Sequence, residues 1–117
     1  MFVGWVLASL RTIAQLRALL VDLEAELGLL DLSTAEKDVF YAISEVATGN
    51  PPLARSEAIR AHALAAVIPQ ATYHRALRAL MDQGFITRAP DSRAGLYMIA
   101  DAPRKAGSRL HQDTGMA

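Results

Sequence analysis

The chain has 117 residues, 52% of them hydrophobic and 21% charged, with twelve basic and twelve acidic side chains. That length fits one domain and hardly allows two, and the apolar content excludes disorder over the whole length. The chain has no cysteine, which excludes disulfides, a thiolate metal site and a cysteine nucleophile.

A cytoplasmic location is the expectation for such a composition. The longest apolar run, Phe2 to Leu10, meets Arg11 long before the roughly 20 residues that a membrane-spanning helix needs. No basic side chain precedes it, and the helical pattern continues through Arg11, so it reads as the start of a packed helix and not as a signal peptide.

The net charge is zero, but its distribution is uneven. Residues 1–54 carry a net −4, residues 55–95 a net +3 and residues 96–117 a net +1. The middle segment takes all its cations from arginine: Arg55, Arg60, Arg75, Arg78, Arg88 and Arg93. Such asymmetry points to an anionic partner for one half of the chain. The plainer reading is a solvated cationic face.

The first element is a helix from about Phe2 to Leu27. Val6, Ile13, Leu20 and Leu27 repeat every seven residues, with Ser9, Leu16 and Leu23 three positions on. This is an a/d seam, broken only by Ser9. Leu7, Leu10 and Leu19 widen the stripe, and Gly28 is placed to end the helix. A stripe this broad predicts self-association through Phe2, Val6, Ile13, Leu16, Leu20, Leu23 and Leu27, because in a monomer it would be a costly exposed patch. The alternative is that the helix lies across the rest of its own chain.

Ser33-Thr34-Ala35-Glu36 is a capping box that starts a second helix, which ends at Gly49-Asn50-Pro51-Pro52. Ser56 is placed to cap a short third helix, with Ala63 to Ile68 as its end or the turn after it. Pro69 opens a fourth helix that Gly84 closes. Its inner face is Tyr73, Ala76, Leu77, Leu80 and Met81, and its outer face Gln70, Ala71, His74, Arg75 and Arg78. Phe85–Ala89 and Leu96–Ala100 read as two strands around a Pro90–Gly95 turn. From Asp101 onward the composition predicts a disordered tail, whose Arg104, Lys105 and Arg109 could add phosphate attraction.

The order of elements is that of a winged helix-turn-helix. The expected fold class is therefore mainly α with a small β-hairpin: a long N-terminal dimerisation helix (1–30), a winged helix-turn-helix domain (31–100) and a tail (101–117). In such a fold the fourth helix lies in a DNA major groove. Gln70 could offer a bidentate amide to adenine, and Arg75 or Arg78 a guanidinium to guanine. Thr72 could bond a phosphate or approach a thymine methyl, and Ala71, His74 and Arg88 lie along the same surface. Ser56 and Arg60 would touch phosphates and hold register, and Arg93 at the hairpin tip could enter the minor groove.

Residues from about Leu32 to Ile99 resemble the winged-helix core of bacterial MarR-type transcription regulators. The likeness is strongest at Ile68-Pro69-Gln70-Ala71-Thr72-Tyr73-His74-Arg75-Ala76-Leu77, then at Leu80-Met81-Asp82-Gln83-Gly84-Phe85-Ile86 and at Asp91-Ser92-Arg93-Ala94. It covers about 68 of the 117 residues. The resemblance implies that Arg93 is the wing residue on DNA and Asp91 the partner that orients it. The family usually places further helices after the wing, to complete its dimer interface and a ligand cleft. Here a polar stretch follows Ala100, so dimerisation is expected from the first helix and a small-molecule effector is left open. Pro69 and His74 stand where the family commonly has small hydroxyl residues.

The partners expected are double-stranded DNA and a second copy, with no membrane, metal or cofactor. His62 and His74 lack a third nearby ligand, and no catalytic motif stands out, so an enzyme is not expected. The competing reading is a protein-interaction module that binds a partner through the first helix. Weaker still is lipid-surface association through Phe2–Leu10, where cations are few.

Overall fold

The computed structural model describes residues 2–89 and 95–100. The chain divides into two units, Met1–Asp31 and Leu32–Ala117. It is mainly helical, with a small three-stranded antiparallel sheet and a long N-terminal helix.

Helix α1 spans Phe2–Leu27. Its C-terminus is closed by Gly28 at φ 76°, with the Gly28 amide donating to the Ala25 carbonyl and the Leu29 amide to the Glu24 carbonyl. This paired closure requires a left-handed residue, which glycine adopts without a Cβ clash. The seam residues of α1 stand largely in the open: Ile13 is 51% exposed, Leu16 60% and Leu27 64%.

In the second unit, α2 (Thr34–Val46) begins with the capping box read from the sequence. Ser33 Oγ accepts the Glu36 amide at 3.1 Å, and Glu36 Oε1 accepts the Ser33 amide at 2.9 Å. Val39, Ala42 and Ile43 form its buried face. The chain then makes a reverse turn in which Thr48 and Leu53 exchange backbone bonds at 3.0 and 2.8 Å.

A two-residue strand β1 (Ala54–Arg55) follows, then α3 (Ser56–Ala61), α4 (Ala63–Ala66) and α5 (Gln70–Asp82). Strands β2 (Ile86–Arg88) and β3 (Leu96–Ile99) complete the order, with β3 central between β1 and β2. Ala54 pairs with Tyr97, and Ile86 with Ile99. Helix α2 packs on α3, α4 and α5, and Val39, Ile43, Ile59, Tyr73, Leu80 and Ile86 are fully buried among them. The Phe40 and Phe85 rings meet edge to face at 5.4 Å, tying α2 to the residue that leads out of α5.

Three local expectations need correction. Ser56 is not an N-cap: Arg55 holds that position in extended conformation as the end of β1, and Ser56 is the first helical residue. Its amide donates to the Gly95 carbonyl at 2.7 Å, so strand pairing fixes where α3 starts. The segment from Ala63 does not extend α3, because the backbone is extended at His62 (φ −66°, ψ 144°) and α4 begins anew. The sheet has a third strand, β1, which the sequence pattern did not reveal.

Candidate nucleic-acid interface

The N-terminus of α5 is set by Pro69, whose fixed φ suits the N-cap and which carries no side-chain cap. The amides of Gln70, Ala71 and Thr72 precede the first intrahelical bond, which Tyr73 donates to the Pro69 carbonyl at 2.9 Å. The helix is held by its inner face, where Tyr73, Ala76, Leu77 and Leu80 are buried and Met81 is half-buried. Gly84, at φ 84°, closes the other end: its amide donates to Met81 and that of Phe85 to Leu80. With that face fixed, the 100° step of the helix sends Gln70, Ala71, His74, Arg75 and Arg78 outward, and all five are exposed.

Arg75 Nη2 donates to Thr72 Oγ1 at 3.2 Å, a pairing that the three-residue spacing allows. Among the described residues neither Arg75 nor Arg78 forms an ion pair with a carboxylate. Arg88, at the end of β2, is also exposed, opposite Tyr97 in the register.

A cleft of about 320 Å³ lies beside the start of α5, lined by Ser56, Glu57, Arg60, Gln70, Tyr73 and His74. It brings together Ser56, Arg60, Gln70 and His74. The Arg60 side chain, expected at a phosphate, makes two contacts within its own chain. Its guanidinium carbon lies 4.7 Å from the centre of the Tyr73 ring, and Nη1 donates to the Ala65 carbonyl at 2.8 Å. The group is half-buried between α3 and α5 because an aromatic face and a carbonyl at the end of a short helix both attract a guanidinium.

The Tyr73 hydroxyl is buried and has no hydrogen-bond partner of good geometry. Burial raises its phenol above the ordinary range; Ser56 pulls the other way, Tyr97 adds to the rise and the Arg60 charge lowers it. Glu57 places a carboxylate on the rim of the same cleft, where it disfavours an anion.

His62 emerges as a connector that the sequence did not signal. Its Nδ1 accepts the Leu64 amide at 3.0 Å, capping α4, and its Nε2 contacts Glu45 Oε1 at 2.6 Å. This arrangement selects the tautomer protonated at Nε2, because Nδ1 must accept. His62 thereby joins the end of α2 to the turn that leads into α5.

Asp91, Ser92 and Arg93 at the hairpin tip, the tail from Asp101, and the Phe2 side chain lie outside the described residues. Among the described residues no group of three His, Asp or Glu could hold a metal, and no helix is long and apolar enough to cross a membrane. A second, apolar cavity of about 770 Å³ lies between the α2 end, the Pro51–Leu53 turn and β3, and no titratable side chain lines it. No family model matches the chain, and no curated protein or solved structure does either.

Proposed function

We propose that the chain is a dimeric, sequence-specific double-stranded DNA-binding protein that regulates transcription. In this reading residues 31–100 are a winged helix-turn-helix, with α5 as the recognition helix and the β2–β3 hairpin as the wing. The observation that carries it is the outer side of α5, where Arg75 and Arg78 stand exposed and free of carboxylate partners among the described residues. Thirteen residues make a rod of about 20 Å, and a major groove about 12 Å wide admits it. Gln70 and Arg75 present the amide and guanidinium forks suited to adenine and guanine edges. The open amides of the first turn suit a backbone phosphate. The MarR-like resemblance of residues 32–99 points the same way, and a cytoplasmic location follows from it.

A duplex-binding titration across salt tests the proposal. Binding should weaken steeply as salt rises, and Arg78→Ala should lower the salt slope by about one phosphate contact. Arg75→Ala should cost about 1–3 kcal/mol on the preferred site and relax base choice there. Binding that ignores salt, or its absence on a random duplex pool, rejects the reading. The exposed seam of α1 favours a second reading, a protein-interaction module built on the same fold. In that case replacing Arg75 and Arg78 leaves function intact, while replacing Ile13 and Leu16 abolishes it.

A further inference from the structure

The charges of α1 are ordered against the helix that carries them. No acidic residue lies in its first turn and no basic residue in its last. Its exposed cations, Arg11 and Arg17, sit in the first two thirds, while the exposed acids Asp22 and Glu26 sit in the final turns. A helix ends in a partial negative charge at its C-terminus and begins in a partial positive one. Carboxylates at the negative end repel it, and the positive end goes unused. The same helix leaves Ile13, Leu16, Leu20 and Leu23 between 45% and 60% exposed along one seam.

We infer that α1 pairs with α1 of a second copy running antiparallel, with Ile13 of each opposite Leu16 of the other. The charge order selects this orientation. A parallel pair gathers the acidic final turns, with Asp22 and Glu26, and the two negative helix ends at one end of the pair. An antiparallel pair lays the acidic final turns of each copy along the uncharged, partially positive first turns of the other.

The seam fits the same register. In antiparallel two-stranded packing an a position faces a d position, so Val6 meets Leu23 and Ser9 meets Leu20. The one polar seam residue thus faces leucine instead of its own copy. On the flank, Leu10 lies beside Arg17 of the second copy, whose aliphatic stem covers it while the guanidinium stays in water. The inference deepens the self-association part of the proposed function and is independent of whether the chain binds DNA.

The natural chain has no cysteine, so single cysteines report cleanly. Under mild oxidation of the full-length protein, Ser9→Cys chains mixed with Leu20→Cys chains should cross-link to each other, and Ser9→Cys alone should not. A second measurement uses Gly4, where an added Cβ meets nothing within 4 Å. Nitroxide labels on Gly4→Cys should lie about 30 Å apart or more, from the 1.5 Å rise and this register. Self-cross-linking of Ser9→Cys, with the Gly4 labels only about 20–25 Å apart as a parallel pair would hold them across its two outer faces, overturns the proposal. So does a monomer in sedimentation of the unaltered chain at micromolar concentration, the result expected if a different protein or a lipid surface covers α1. None of these measurements reads DNA, so their failure leaves the recognition-helix reading standing.

Discussion

The Arg60 guanidinium lies over the Tyr73 ring, 4.7 Å from its centre, and reaches past it to the Ala65 carbonyl. One side chain thus joins α3, the end of α4 and the inner face of α5. A cation on an aromatic face contributes about 0.5–2 kcal/mol and a charged hydrogen bond about 1.5–3 kcal/mol. Arg60→Met should therefore lower folding stability by about 1–3 kcal/mol in urea denaturation. The salt slope of duplex binding should not change, since Arg60 is committed within its own chain. A slope that falls by one contact with stability unaltered would return Arg60 to the phosphate role read from the sequence.

Tyr73→Phe removes a buried hydroxyl that lacks a well-formed hydrogen bond. The cost of burying that group disappears, so stability at neutral pH should stay level or rise by up to about 1 kcal/mol. The same group gives a pH dependence. Its folded phenol is raised, first by burial, above an unfolded value near 10. The stability tied to the neutral phenol is complete below pH 10 and is lost as pH climbs through the folded value. Urea midpoints measured between about pH 9 and 11.5 should fall for the natural chain and fall less for Tyr73→Phe.

His62→Ala removes the side-chain cap of α4 and the contact with Glu45. A lost cap costs about 1 kcal/mol. The loss should appear first as faster hydrogen exchange at the Leu64 amide, with exchange in the buried middle of α5 changed only by the drop in global stability. Equal local protection in the variant would show that the turn holds itself without the imidazole.

Gly84→Ala places a Cβ on a residue at φ 84°. The left-handed conformation costs a non-glycine residue roughly 1–2 kcal/mol. The urea midpoint should fall by the corresponding amount, and duplex affinity should fall with it if the end of α5 unwinds to relieve the strain. An unchanged midpoint would mean that the helix ends earlier than its backbone bonds indicate.

The parts of the fold legible in the sequence are those set by neighbours in the chain. Ser33 and Glu36 announce their mutual bonds by spacing alone, and the inner face of α5 follows from one 3.6-residue period. Gly28 and Gly84 mark helix ends because only a left-handed residue completes those closures. The parts that escaped are tertiary. Strand β1 has two residues and exists through pairing with Leu96 and Tyr97, more than 40 positions away, so no alternation could reveal it. Arg60 meets Tyr73 across thirteen positions, and its spacing matches an exposed phosphate contact equally well. The outer face of α5 was readable in advance, but the carboxylate of Glu57 beside its first turn was not.

Three residues separate the last residue of α5 from the first of β2, and the middle one is the glycine that locks the turn. Phe85, the third, is anchored beneath by Phe40. A short turn therefore joins α5 to β2, and its last residue packs on α2. Any ligand that tilted α5 on α2 would carry the start of β2 with it.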